Sequence, residues 1–174
     1  MNNRSLLNMK TKSKIFKDDD YSTKIETLED ILPFIKKDDK IYDPFYCDGY
    51  VKNQWKTLGF DIIHEKVDAF DLGLVPDYDI MISNIPFSCK EKCVKHALDL
   101  GKPFMLIMPM SALGSRWIVK YWDELQFIAP DGRYSYHKPN YSERKSASWF
   151  DSVWVCHNMN LPEKIIKLKK QKKK

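Results

Sequence analysis

Short apolar strands alternating with amphipathic helices predict an α/β fold with a largely parallel sheet. Three observations carry this reading. The run Phe104-Met-Leu-Ile-Met-Pro-Met110 is continuously apolar, as expected of a strand covered on both faces. The helical stretches 51–58 and 90–100 each stop at a glycine, Gly59 and Gly101, the residue best suited to end a helix. The last third of the chain has a different pattern. Residues 125–129, 132–136 and 152–156 read as strands joined by polar loops, predicting an antiparallel end to the sheet.

The elements follow in order. Residues 1–20 are polar and read as a mobile arm. Ser22 or Thr23 can cap a helix running through residues 26–35, with acidic residues in its early turns. Residues 40–43 form a short strand broken at Pro44, followed by the helix over 51–58 and a second strand over 60–64. Residues 79–83 are a third strand, 90–100 a helix, 104–110 the buried strand and 115–125 a helix. The 174 residues suit one domain, read as a body over 21–160 with a basic tail over 161–174.

Charge is unevenly placed. Seven lysines fall in the last eleven residues, so the remainder is nearly neutral and the tail carries the basicity. Such a tail reads as an arm for polyanions or as a solubilising extension. No apolar run approaches the roughly 20 residues of a membrane span, and the N-terminus lacks the apolar stretch of a secretory signal. An intracellular, reducing setting is expected, because the four cysteines form neither paired CxxC motifs nor a disulfide framework. Cys89, Cys93 and His96 share one helical face, but no fourth ligand is evident, so no metal is expected.

In α/β sheets ligands bind at the carboxyl ends of strands, and two informative segments lie there. The first is Asp43-Pro-Phe-Tyr-Cys-Asp-Gly49: a strand ending in an acid, then a turn with glycine, then a helix. It forms either a crevice whose acid accepts from an ammonium or hydroxyl, or an ordinary strand-to-helix turn. No GxGxxG and no lysine-bearing phosphate loop is present, which disfavours a dinucleotide or nucleoside triphosphate. Glu65, after the second strand, stands where an acid often bonds ribose hydroxyls, or is a solvated strand end. Asp68 and Phe70 could hold an adenine by its amino group and face; surface polarity explains Asp68 equally well. The second segment is Asn84-Ile-Pro-Phe87. Asn84 offers an amide oxygen. Ile85 offers a carbonyl, in a residue that Pro86 biases to extended geometry, and Phe87 offers a stacking face. Two acceptors beside a flat ring suit a planar amino group, drawing its lone pair out of conjugation and stabilising developing positive charge; the alternative is a buried strand that simply ends at a proline.

These two segments together resemble the cofactor loop and the catalytic Asn-Pro-Pro-Phe/Tyr loop of S-adenosylmethionine-dependent adenine-N6 methyltransferases, most of all the small viral, phage and protist members. Asp18-Asp-Asp-Tyr-Ser-Thr23 is similar to the family's leading Tyr-Thr-Pro segment. Gly132-Arg-Tyr-Ser-Tyr136 with Ser146-Ala-Ser-Trp-Phe-Asp-Ser-Val-Trp-Val155 is similar to its terminal hairpin. The resemblance implies a Rossmann-like class I methyltransferase fold, a mostly parallel seven-stranded sheet with an antiparallel terminal hairpin. It implies S-adenosyl-L-methionine as cofactor, with Asp43, Phe45 and Gly49 lining its methionine part and Tyr21 and Thr23 beside it. Glu65 would hold the ribose, and Asp68 with Phe70 the adenine. Asn84 and the Ile85 carbonyl would hold the target amine, Pro86 would set the turn, and Phe87 would stack on the target base. Three residues depart from the family pattern: Cys47 replaces a glycine of the cofactor loop, Ile85 replaces the first proline of the catalytic loop, and Lys24 stands where proline is usual.

The expected partner is nucleic acid, DNA ahead of RNA, with a partner subunit or a second copy of the chain as further candidates. Lys138, Arg144, Lys145, Lys169 and Lys170 are candidate phosphate contacts, or a solvated basic surface. Two rival functions stand beside the first: methylation of RNA adenine or protein glutamine, and a non-catalytic nucleic-acid-binding or partner subunit of the same fold.

Overall fold

The computed structural model describes residues 21–137, 148 and 150–169. Its centre is a seven-stranded sheet in the order β3-β2-β4-β5-β8-β6-β9. The strands are β2 (Ile41–Tyr42), β3 (Ile62–Ile63), β4 (Ile80–Asn84), β5 (Phe104–Pro109), β6 (Leu125–Ala129), β8 (Ser152–His157) and β9 (Ile165–Lys167). All run the same way except β8, which is antiparallel to both its neighbours, β5 and β6. The antiparallel strand therefore sits inside the sheet, and the last strand, β9, is a parallel edge. A separate two-stranded pair joins β1 (Ser22–Thr23) to β7 (Tyr136–His137).

The sheet is covered on both faces, which explains the unbroken apolar character of β5. Met105 and Ile107 face one side with Trp154 and Cys156; Leu106 and Met108 face the other with Val153 and Val155. Helices α1 (Ile25–Glu29) and α2 (Tyr50–Thr57) cover the first side through Leu28, Val51 and Trp55. Helices α3 (Lys90–Asp99) and α4 (Arg116–Val119) cover the second through Cys93, Val94, Ala97 and Ile118. A strand so enclosed has no polar face to show, so the period-2 alternation of a half-exposed strand is lost.

The structure corrects several expectations. Ser22 and Thr23 do not cap a helix: they are β1, and α1 begins after Lys24 without a side-chain cap. Serine and threonine serve caps and strands alike, and here pairing with β7 decides. The helix expected over 26–35 ends at Glu29 and gives way to a 3-10 turn at Leu32–Phe34, where Pro33 lacks the N–H to continue it. The helix expected over 115–125 is the short α4 plus a 3-10 turn at Trp122–Glu124. Part of the stretch expected to be a basic tail is folded: β9 pairs with β6, and Lys164 and Lys167 donate to the main-chain carbonyls of Trp122 and Pro130. The arm over 1–20 and residues 170–174 lie outside the described residues.

The order of the strands locates a crevice. From β2 the chain passes through α2 to β3 on one side, then crosses back to β4 on the other side of β2. Such a reversal leaves an open groove at the carboxyl ends of the two strands flanking it, the usual ligand position in open α/β sheets. Those ends are Asp43, after β2, and Asn84, closing β4. No helix among the described residues is long and apolar enough to cross a membrane.

Candidate active site

Asp43 anchors the crevice. Its N–H donates to the Ile63 carbonyl at 2.9 Å, extending the β2–β3 pairing by one residue. Its carboxylate Oδ1 accepts from the Ser83 hydroxyl of β4 and from the Phe45 N–H at 3.2 Å. The Ser83 bond ties the end of β2 directly to β4, so the two sequence segments face one hollow. Burial raises the Asp43 carboxyl to about 6, against the opposing pull of His64 and of its two hydrogen bonds.

The loop after Asp43 is shaped by Gly49, which adopts φ 77° as the residue before α2. A Cβ there would lie 2.6 Å from the Tyr46 hydroxyl. The left-handed backbone alone costs other residues roughly 1–2 kcal/mol. Gly49→Ala is therefore expected to lose at least about that much stability, measured by urea denaturation; an unchanged midpoint would show that the turn tolerates a side chain. Asp48 completes the loop, accepting from the Tyr50 N–H at 3.0 Å and from the Ser22 hydroxyl at 2.7 Å.

Asn84 closes β4 with its amide fixed. Nδ2 donates to the Tyr21 carbonyl at 2.5 Å, and Oδ1 is buried with no hydrogen-bond partner. Leaving a buried acceptor unpaired costs roughly 1–3 kcal/mol, so such atoms in folded proteins call for an account. Ile85 is buried at 2% exposure among the apolar residues on the α3 side. Pro86 then turns the chain into a short 3-10 segment, Phe87–Cys89, that leads into α3. The Phe87 ring lies near-parallel to Tyr21, centroids 6.3 Å apart at 18°, with Phe150 edge-on to both.

One cleft collects Tyr21, Ser22, Thr23, Asp43, Phe45, Cys47, Val51, His64 and Asn84. It is nearly closed, with about 10 Å³ of free volume against the roughly 300–1,000 Å³ of small-molecule pockets. Residues 21–23 narrow it, held by the Tyr21–Asn84 and Ser22–Asp48 bonds and by pairing with β7. A wider, more open hollow at the opposite ends of the strands, beside Gln126, His157 and Lys164, gathers none of the residues singled out from sequence.

The structure thus brings together Tyr21, Thr23, Asp43, Phe45 and Asn84, with Gly49 shaping the loop and Phe87 beside Tyr21. It does not bring in Glu65 or Asp68. Both are exposed, and Asp68 turns its carboxylate onto the Phe70 N–H at 2.9 Å. Phe70 reaches the cleft wall indirectly, edge-on to Phe45 at 5.8 Å, with the Lys92 ammonium 3.6 Å from its ring centroid. His64 joins the cleft without any sequence signal, because nothing separates a histidine closing a strand from its neighbours. Lys169 is exposed, whereas Lys138, Arg144, Lys145 and Lys170 lie outside the described residues. Cys89 and Cys93 place their sulfurs 3.6 Å apart, and no group of three or more metal-binding side chains occurs among the described residues.

No protein-family model and no curated protein matches the chain. Among solved structures, the chain is similar to a Listeria monocytogenes protein described as a "putative class I S-adenosylmethionine-dependent methyltransferase". The TM-score is 0.43 and the identity 14%, over 82% of this chain and 61% of that one. The chain thus spans about three fifths of that protein's length.

Proposed function

We propose that this chain transfers a methyl group from S-adenosylmethionine to the N6 amino group of adenine in nucleic acid, with DNA the favoured polymer. One observation carries the reading. Asn84 Oδ1 is a buried acceptor without a donor, oriented by its own Nδ2, in a cleft shared with the buried Asp43 carboxylate. An unpartnered acceptor beside a buried carboxylate, at the switch point of an α/β sheet, suits ligands that bring N–H donors and positive charge.

When bound, the cofactor supplies an electrophilic methyl group on a cationic sulfur. Asp43, Phe45 and Thr23, which line the cleft, would hold it, and the oxygens of Asp43 and Thr23 suit a ligand carrying an ammonium. The space does not yet accommodate it, so residues 21–23 must part from Asn84 as it enters. Asn84 Oδ1 accepts from the adenine amino group and favours a pyramidal nitrogen with its lone pair exposed. Phe87 offers the base an apolar face. Positive charge developing on the nitrogen is stabilised by the same oxygen, and the surplus proton leaves to solvent without a dedicated base. A paired adenine cannot bring its amino group into such a cleft, so the base must be rotated out of the stack. The lysine-rich C-terminal stretch favours a polyanionic substrate.

The test is a methyl-transfer assay with labelled cofactor on DNA, RNA and protein pools, followed by digestion of the product. Label in N6-methyldeoxyadenosine is the expected result. Label confined to protein glutamine, or cofactor binding without transfer to any pool, would overturn the assignment.

A further inference from the structure

The turn that carries Phe87 ends on two thiols that the chemistry above does not use. Cys89 closes the 3-10 segment Phe87–Cys89 and is partly exposed. Cys93 lies one turn into α3 and is fully buried, packed with Val94 and Ala97 against the sheet. Their sulfurs are 3.6 Å apart. Residues 90–92 between them are helical, which sets the two Cα atoms about 6 Å apart, inside the roughly 4.4–6.8 Å that disulfides span. Cys89 itself has non-helical backbone, φ −126° and ψ 29°, so its Cβ leaves the direction that a helical residue imposes.

The two thiols differ in access. Cys89 meets an oxidant from solvent, while Cys93 stands behind it as the partner that resolves the product. The thiolate is the reactive form of cysteine, and an anion at the first turn of this ten-residue helix faces the positive end of its macrodipole. Cys156 is the contrast: it is sealed in the sheet, and burial pushes its thiol far above the ordinary range. In a chain whose sequence shows no disulfide framework, such a pair suits a transient bond.

We propose that Cys89 and Cys93 form a site of reversible oxidation, closed to a disulfide by a peroxide, and that the closed bond displaces the turn carrying Phe87. The Cys89 thiolate attacks one peroxide oxygen and breaks the O–O bond, giving a sulfenic acid and hydroxide. The Cys93 thiol then attacks that sulfur, the S–O bond breaks, and hydroxide leaves with the thiol proton as water. The first hydroxide takes up the proton that Cys89 had given to solvent. Two thiols and one peroxide thus become one disulfide and two waters, with two electrons passing from sulfur to oxygen. Bond formation draws the sulfurs from 3.6 Å to about 2.05 Å. Cys93 is held by the core, so Cys89 is the one that moves. Its N–H donates to the Pro86 carbonyl at 3.2 Å, and the Lys90 ammonium donates to the Phe87 carbonyl at 3.2 Å, which passes the shift to the Pro86–Phe87 turn. The effect on catalysis rests on the methyl-transfer reading; the bond itself does not.

The full chain is treated with hydrogen peroxide, remaining thiols are blocked with iodoacetamide, and the protein is digested with trypsin. Cleavage after Lys66, Lys90, Lys92 and Lys95 puts the two cysteines on separate peptides, 67–90 and 93–95. The expected result is these two peptides joined, and parted by dithiothreitol. Methyl transfer by the oxidised chain is expected to fall at least about tenfold and to return with dithiothreitol, whereas damage at methionine needs its own reductases. Cys89→Ser is expected to keep its rate through the same treatment. Cys89 recovered alkylated or as a sulfinic acid, without the joined peptides, overturns the site. Joined peptides with an undiminished rate overturn the displacement of the turn. If the reduced chain methylates no pool, the methyl-transfer reading falls, and the joined peptides still decide the bond.

Discussion

Asn84→Ala is expected to slow methyl transfer several-hundredfold, about 3–4 kcal/mol of lost transition-state stabilisation, while cofactor binding is retained. The size follows from the position of the side chain. Oδ1 has no competing partner inside the protein, and Nδ2 holds it in place through the Tyr21 carbonyl. Alanine removes the acceptor and loosens the group that orients it. Aspartate should not rescue the loss, although it is nearly isosteric. It would set a second acceptor against the Tyr21 carbonyl where an N–H now donates at 2.5 Å. Single-turnover rates with enzyme in excess are the appropriate measure, because they isolate the chemical step from product release. A variant with an unaltered rate removes Asn84 from the mechanism.

Asp43→Asn is expected to make the ligand-free protein more stable and, on the proposed reading, to weaken cofactor binding. Burial lifts the Asp43 carboxyl to about 6, above its ordinary value. A carboxyl raised in the folded state favours folding at low pH, below its unfolded pKa of about 4, and that contribution fades as pH rises through about 6. At neutral pH the ionised, desolvated group therefore works against folding, by an amount on the order of 3 kcal/mol. Asparagine keeps an oxygen for the Ser83 hydroxyl and the Phe45 N–H while discarding the charge. Denaturation at pH 4.5 and 7.5 checks the sign: the unaltered chain should gain stability on acidification through this group, and the variant should lose that increment. Cofactor affinity should move oppositely, falling in the unaltered protein as pH drops through about 6 and Asp43 takes up its proton. A variant as unstable as the parent at neutral pH would show that the surroundings already compensate the charge.

Much of the site is readable from the chain because it depends on local signals at strand ends. An acid before Pro44 and an amide shortly before Pro86 each close an apolar run, and in an alternating fold such ends share one edge. The residues that escape such a reading depend on register. Whether His64 or Glu65 faces the cleft turns on the last paired residue of a two-residue strand, and a one-position slip inverts the answer. Ser22 and Thr23 look like a cap because their true partners, His137 and Tyr136, lie more than a hundred residues further along the chain. β9 is hidden by its charge: Ile165, Ile166 and Leu168 are interleaved with lysines, and a count of charges reads as a tail what pairing with β6 makes a strand.

The bond between the Tyr21 carbonyl and the Asn84 amide has one further consequence. On the proposed reading, the side chain that readies the amine is also the one that latches the strand narrowing the cleft. Admission of a ligand and arming of the amide would then be one mechanical event, with the corner kept shut against bulk water between turnovers. On the proposed reading, the tempo of turnover is set by unlatching as much as by bond-making.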